Sequence, residues 1–306
     1  MRPLIILVGP TAVGKTAVAV SLCQQYSGEI VSADSRQIYR GLDIGTAKPT
    51  PEEQAAARHH LIDIVEPDQT LGVAEYQALA YAAIEDILQR GHLPFLVGGS
   101  GQYVRAVVEG WRLPRVPPDE SLRARLQADA DQYGSRSLHA RLAEVDPAAA
   151  ARIDHRNVRR VIRALEVYLK TGVPISHLQQ AQPPPYTMLR IGLTMPRDRL
   201  YARIDARVDR MVAAGLLTEV EAAIARGCHL GLPAMSGLGY RQMGQYLVGQ
   251  MTLDEAVRLI KKETRRFVRQ QYTWFRRDDP GICWVDASDA HCLQIVSRLI
   301  AQFLKR

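Results

Sequence analysis

Gly9-Pro10-Thr11-Ala12-Val13-Gly14-Lys15-Thr16 is the stretch that decides the fold of this chain. The octet fits G-x-x-x-x-G-K-[ST] and follows an unbroken apolar run at residues 4–8. Such a run suits a strand buried on both faces of a parallel sheet. Residues 16–26 read as a helix with Ala17, Val20 and Leu22 turned inward. Strand, glycine-rich turn and helix in that order make a phosphate loop. Glycines let the backbone curl so that successive N–H groups converge on phosphate oxygens, and the helix N-terminus adds partial positive charge. Lys15 is placed to neutralise an outer phosphate, and the Thr16 hydroxyl to hold a magnesium ion. A nucleoside triphosphate and an alkyl diphosphate present the same oxygens to such a loop, so a kinase or NTPase stays open at this point.

Working outward, residues 29–33, 61–65 and 93–97 read as further strands, and residues 73–90 as a long helix closed by Gly91. Alternation of strands with crossover helices predicts an α/β fold with a parallel sheet of the P-loop NTPase type. At Trp111 the pattern changes. Residues 113–118 are linker-like, and residues 121–133, 138–144, 147–153 and 158–171 carry helical periodicity alone. A second linker, residues 179–186, contains Pro183-Pro184-Pro185. Strand character returns at 190–195, followed by a helix at 197–226, helices at 239–248 and 253–275, a strand at 282–285 and a last helix at 290–304. The expected organisation is a core of residues 1–112 and 189–306 interrupted by an all-helical insertion, 113–188.

Composition sets the remaining bounds. The 306 residues are 47% hydrophobic and 23% charged, which suits an ordinary globular protein, and the net charge of +7 allows a polyanionic partner. Cys23, Cys228, Cys283 and Cys292 form no CxxC pair and no metal-ligand spacing, so free thiols and a reducing compartment are expected. The apolar run at 4–8 is too short for a signal-peptide core or a membrane span. A cytoplasmic protein with no membrane partner is the expectation.

A second constellation, Asp34-Ser35-Arg36-Gln37, follows the second predicted strand. Loops at the C-terminal ends of parallel strands share one crevice, which would set Asp34 near the reactive end of a bound phosphate. The competing reading makes Asp34 a helix cap. Gly98-Gly99-Ser100-Gly101-Gln102-Tyr103 and Ser236-Gly237-Leu238-Gly239-Tyr240-Arg241-Gln242 fall at the same edge, each a weak signal alone.

At these residues the chain resembles the bacterial tRNA dimethylallyltransferases, also called tRNA isopentenyltransferases. The phosphate loop is similar to theirs, and Asp34-Ser35-Arg36-Gln37-Ile38-Tyr39 with Asp43-Ile44-Gly45-Thr46-Ala47-Lys48-Pro49 is the most specific signature. Val97 to Tyr103, Arg163 to Val167, Arg203-Ile204-Asp205-Ala206-Arg207-Val208, Gly239 to Gln242 and Arg269 to Arg276 follow in the family's order. Ser100 stands where the family has threonine, a change that keeps the hydroxyl. The resemblance implies transfer of a dimethylallyl group from dimethylallyl diphosphate to the exocyclic amine of the adenosine 3′ of the anticodon, in tRNAs reading codons that begin with U. It implies that Gly9, Pro10, Thr11, Ala12, Val13, Gly14, Lys15 and Thr16 hold the diphosphate with Arg207, that Thr16 holds Mg2+, and that Asp34, Thr16 and Arg207 are catalytic. For the tRNA anticodon stem-loop it implies contacts from Asp34, Ser35, Arg36, Gln37, Gly101 and Arg123, from Arg159, Arg160, Val161, Ile162 and Arg163, and from Ser236, Gly237, Leu238, Gly239, Tyr240 and Arg241. A monomer is expected.

The basic residues agree with an RNA partner. Arg258, Lys261, Lys262, Arg265, Arg266, Arg269, Arg276 and Arg277 fall within one predicted helix and its end, opposed only by Glu263, with Tyr272, Trp274 and Phe275 among them. Trp274 and Phe275 read as core rather than as stacking platforms. Arg156, Arg159, Arg160 and Arg163 repeat at near-helical spacing. Two rivals stand beside tRNA prenylation: prenylation of free adenine nucleotides, and a P-loop small-molecule kinase. A free-nucleotide enzyme has no evident use for the helical insertion or the basic helix, and a kinase would need an acceptor site and charge-clamping lid arginines that the sequence does not display.

Overall fold

In a computed structural model the described residues are 2–112, 114, 116–178 and 180–305. Leu113, Arg115 and Gln179, which fall in the two expected linkers, lie outside them. The chain divides into two compact units, Met1–Val107 with Pro185–Arg306, and Val108–Pro184. The second unit therefore begins and ends a few residues earlier than the 113–188 read from the linkers.

The first unit is built on a six-stranded sheet in the order β3-β2-β4-β1-β7-β8. Its strands are β1 (Pro3–Val8), β2 (Gly28–Ala33), β3 (His59–His60), β4 (Leu93–Gly98), β7 (Thr187–Thr194) and β8 (Cys283–Asp286). Every adjacent pair runs parallel. Leu4, Ile5, Ile6, Leu7 and Val8 of β1 are all buried, because a parallel strand with helices on both faces has no wet side. Ile5 and Leu7 share one cluster with Ala19, Leu22 and Cys23 of α1 (Lys15–Tyr26) and Val296 and Ile300 of α14 (Cys292–Leu304). Over the same sheet, α3 (Val73–Gln89) packs on β2 and β4, and its Tyr76, Ala80, Ile84 and Ile87 are fully buried. The α/β fold with a parallel sheet is borne out.

Several expected elements move. Residues 61–65 do not form the third strand: Leu61 and Asp63 adopt φ of 63° and 53°, which an extended backbone cannot accommodate, and the strand falls at β3 instead. Val65 keeps one isolated bridge, to Tyr39. The helix expected over 197–226 is two helices, α10 (Arg197–Ala213) and α11 (Leu216–Ala225), parted at Gly215, whose φ of 96° is left-handed. Ala17 faces outward, and Ala19 and Cys23 take the inward positions. Short helix α2 (Pro51–Ala56) was not anticipated, although Thr50 and Glu53 form a full capping box there.

The second unit carries α5 (Glu120–Tyr133), α6 (Ser135–Val145), α7 (Pro147–Arg152), α8 (Val158–Thr171) and α9 (Ile175–Leu178). Leu126, Leu138, Leu142, Val161, Leu165 and Val167 form its core. It is not wholly helical. Two-residue strands β5 (Trp111–Arg112) and β6 (Gln180–Ala181) pair antiparallel, so part of the expected second linker is a strand. Such short strands leave no periodicity in a sequence. Within this unit the buried Glu166 accepts from Arg123 Nε at 2.9 Å, Arg163 Nη1 at 2.5 Å and the Asp119 amide at 2.8 Å.

Candidate active site

Strand register assembles the site. Val8 pairs with Gly98 and Gly98 with Ala33, so the next residues, Gly9, Gly99 and Asp34, leave the sheet side by side. Gly98 is required there, since a Cβ would run into the Ala33 carbonyl. Gly9 (φ 148°) is equally constrained: a Cβ would lie 2.5 Å from the Leu193 carbonyl oxygen.

The loop between β1 and α1 curls through Ala12 (φ 65°) and Gly14 (φ 105°). Lys15 Nζ donates to the carbonyl oxygens of Gly9 and Pro10, each at 2.9 Å. The Thr11 amide donates to Gln271 Oε1 at 2.9 Å, and Gln271 Nε2 donates to the Gly99 carbonyl at 3.1 Å. Buried Gln271, on α13 (Leu253–Trp274), thus ties the phosphate loop to the end of β4.

Asp34 Oδ1 accepts the Arg36 amide at 2.9 Å, closing an Asx turn rather than capping a helix. Its Oδ2 has no hydrogen-bond partner among the described residues. The Ser35 amide donates to Ser100 Oγ at 2.9 Å, and Ser100 Oγ donates to Ser35 Oγ at 3.2 Å. The hydroxyl at position 100 is therefore what fixes this turn. Gln37 Nε2 reaches the Ala47 carbonyl at 3.1 Å. The loop from Asp43 to Gly45 hangs on one carboxylate. Glu219 of α11 accepts the amides of Asp43, Ile44 and Gly45 at 2.7, 2.8 and 3.0 Å and the Tyr240 hydroxyl at 2.6 Å.

Two cavities meet at Thr11, Lys15, Asp34 and Arg207. The first, about 330 Å³, runs along the phosphate loop past Ala12, Gly14 and Thr16 and is flanked by Arg203 and Arg210. On α10, positions 203, 207 and 210 recur at helical spacing and bring three guanidiniums to one side. The second, about 270 Å³, passes Ser35, Arg36, Ser100 and Ser236 to Tyr240, with Ile204, Val208, Met211 and Phe267 as apolar wall. Burial lowers Lys15 from its ordinary 10.5 to about 8, with Asp34 opposing the shift and Arg207 adding to it. Burial also pulls Arg207 down, again opposed by Asp34. One carboxylate thus acts on both cations.

The residues expected at the site divide accordingly. Thr11, Ala12, Gly14, Lys15, Thr16 and Arg207 line the first cavity, while Gly9 and Pro10 support the loop from beneath and Val13 is buried in the core. Asp34, Ser35, Arg36, Ser236, Gly237, Leu238, Gly239 and Tyr240 line the second, and Gln37 the first. Gly101 is buried against the Trp274 indole, and Arg241 is paired with Glu263. In the helical unit Val161 and Ile162 are buried, so their side chains are withdrawn from any RNA surface. Arg123 and Arg163 are engaged on Glu166, whereas Arg159 and Arg160 are exposed and without an acidic partner among the described residues. Of the aromatic pair expected in the core, Phe275 is buried and Trp274 partly so. Gln271 and Glu219 were missed as site residues: Gln271 lies within the motif Arg269 to Arg276 but nothing in that motif shows what its side chain bonds, and Glu219 is a single Glu on a helix.

Comparison with known proteins agrees with this geometry. The IPP transferase family matches residues 37–278. The tRNA dimethylallyltransferase of Roseiflexus sp. (strain RS-1) is 57% identical over 304 residues, covering 99% of each chain. That of Chloroflexus aggregans is 58% identical over 277 residues, 90% of this chain and 94% of its own. Among solved structures, the tRNA isopentenylpyrophosphate transferase of Bacillus halodurans is similar, with a TM-score of 0.75 and 43% identity, covering 100% of this chain and 97% of that one. With a phosphate loop, an aspartate and an arginine facing one cavity, and relatives matched over nearly their full length, this chain belongs to the IPP transferase family.

Proposed function

We infer that this chain transfers a dimethylallyl group from dimethylallyl diphosphate to the exocyclic amine of an adenosine next to the tRNA anticodon, on its 3′ side, in tRNAs that read codons beginning with U. The observation that carries the reading is the junction at which Lys15, Arg207 and Asp34 border both cavities.

An adenine amine is a weak nucleophile because its lone pair is delocalised into the ring. It attacks the allylic carbon as a bond to that carbon forms, the carbon–oxygen bond to diphosphate breaks, and the proton passes from nitrogen to Asp34. Oδ2 is the available acceptor, because Oδ1 holds the turn. Charge developing on the departing diphosphate falls to Lys15, Arg207 and the amides of the loop. The Thr11 amide is already engaged with Gln271, which leaves the amides nearer the helix start for the phosphates. The apolar wall of Ile204, Val208, Met211 and Phe267 excludes water from a reactive allylic centre.

The residues present fit a magnesium ion. No cluster of three or more His, Cys, Asp or Glu that could hold a metal occurs among the described residues. An ion carried in on substrate phosphates needs only one or two protein oxygens, and the Thr16 hydroxyl would supply one. When bound it would add positive charge beside the diphosphate.

For the tRNA, Arg36 and the 236–240 loop border the acceptor side, and Arg159 and Arg160 on the helical unit offer phosphate contacts. No helix among the described residues is long and apolar enough to cross a membrane. A tRNA acceptor argues for a cytoplasmic setting, and we take the working form to be a monomer. Incubating the protein with labelled dimethylallyl diphosphate and either bulk tRNA or AMP tests the reading. Label is expected in tRNA adenosine; label in AMP alone, or ATP-dependent phosphorylation of a small molecule, would overturn it.

A further inference from the structure

Beyond the two reaction cavities lies a larger one, of about 520 Å³, within the range of small-molecule sites. It sits where β7 gives way to α10, at Met195, Pro196 and Arg197. Its other wall is α13, but not the face used in the reaction. Ile260, Thr264, Phe267 and Gln271 face the acceptor cavity, whereas Val268, Arg269, Tyr272 and Arg276 line this one. At about 100° per residue Val268, Arg269 and Tyr272 fall on a separate side of the helix from the first set, and Arg276 follows just beyond the helix end at Trp274.

The polar groups here are badly matched in charge. Four arginines line the cavity, and Asp278 is the only carboxylate among its lining residues. Arg276 already holds Asp278, at 2.9 and 2.6 Å. Arg197 Nε and Arg269 Nη1 both donate to the single phenolic oxygen of Tyr201, each at 3.1 Å. Arg277 lies over the Tyr272 ring, 5.3 Å from its centroid. Arg197, Arg269 and Arg277 have no carboxylate partner among the described residues. Two guanidiniums sharing one neutral oxygen leave most of their donors unused, and arginine forks are matched best by phosphate. The N-terminus of a 17-residue helix without a side-chain cap opens into the same space. Beneath the charges are Met195, Leu200 and Val268, with two tyrosine rings beside them. Cations at the rim, aromatic rings on the walls and an apolar floor are the combination that receives a base and its phosphate together.

We propose that this cavity is a second anion site that holds one nucleotide, its phosphate on Arg197 and Arg269 and its base against Tyr201 and Tyr272. The nucleotide is either a unit of the RNA chain or a free nucleoside monophosphate; the site is separate from the phosphate loop and does not depend on the transfer reaction.

UMP is a suitable probe, being neither donor nor acceptor of the proposed reaction. Titrations of UMP and of tRNA would be run on the full chain, on Lys15→Ala, on the double variant Arg197→Lys with Arg269→Lys, and on Tyr201→Leu. Arg197 and Arg269 are exposed, so their replacement leaves the core intact, and thermal unfolding checks this. Lysine keeps the charge but loses the fork, which separates a built site from a general basic field. If the source is a free nucleotide, UMP binds the full chain and Lys15→Ala alike, and at least tenfold more weakly both the double variant and Tyr201→Leu. If the source is RNA, UMP does not bind, but the double variant and Tyr201→Leu each lose about tenfold in tRNA affinity. Absence of UMP binding together with tRNA affinities within twofold of the full chain in both variants overturns the proposal, whether or not label reaches tRNA in the transfer assay.

Discussion

Lys15 folds back onto the carbonyls of Gly9 and Pro10, a geometry that a bound diphosphate would replace with stronger partners. Its pKa of about 8, set by burial, gives the binding step a pH signature. An anionic ligand favours the charged lysine and raises that pKa, so binding takes up a proton once the pH exceeds about 8. Affinity for dimethylallyl diphosphate should be level from pH 6.5 to 7.5 and weaken by up to about tenfold per pH unit above 8, which calorimetric titration would read. A level profile to pH 10 would contradict the assignment. Asp34 is tested by Asp34→Asn, which retains Oδ1 for the Arg36 amide and removes the base. Turnover should fall by about 10²- to 10⁴-fold with tRNA affinity nearly unchanged, read in single-turnover transfer.

At the scale of the element, α13 matters through one side chain. Gln271 is buried and bonds two backbone groups, the Thr11 amide and the Gly99 carbonyl. Gln271→Ala leaves both without partners, at a cost of about 1–3 kcal/mol for each buried group. A raised KM for the prenyl donor and a lower Tm are expected, with kcat the less affected; unchanged donor KM would show that the loop holds its shape unaided. This contact marks the limit of what could be read from the chain. The phosphate loop was legible because its spacing is itself the chemistry, and Asp34 because it follows a strand in a parallel sheet. Gln271 sits in a motif that could be read, but its partner Thr11 lies 260 positions away, so the contact itself could not. Val161 and Ile162 show the converse: a motif taken whole includes residues whose side chains are buried in the core of the helical unit. Short β3, β5 and β6 escaped because two residues carry no alternation.

For the molecule as a whole, two responses to solution conditions follow. Buried Glu29 is drawn from its ordinary 4.5 to about 2, first by the hydrogen bond from Arg90, against the opposing effect of burial, and then by His60. A carboxylate lowered in this way adds stability that is complete above pH 4.5 and is lost as the pH falls toward 2. Arg90→Ala should remove much of that acid-sensitive stability and lower the Tm at pH 7 relative to the parent, with the two unfolding curves converging near pH 2. The net charge of +7 and the exposed Arg159 and Arg160 predict a second response. Affinity for tRNA should fall steeply and linearly in log–log form as salt rises, with a slope reduced by about 0.7–0.9 for each phosphate-contacting arginine removed. A salt-independent affinity would remove the basic surface from RNA recognition.

The alignment of Val8, Gly98 and Ala33 across three strands has a further consequence. The sheet works as a ruler whose rungs fix where Asp34 and the loop of Lys15 spring from, whatever the loops above them do. Sequence drift at the loop tips is therefore tolerable, whereas inserting or deleting one residue inside β2 would turn Asp34 to the opposite side of the sheet. The spacing between Asp34 and Lys15 is inherited from backbone pairing, and length changes in those strands are the lesion this enzyme can least survive.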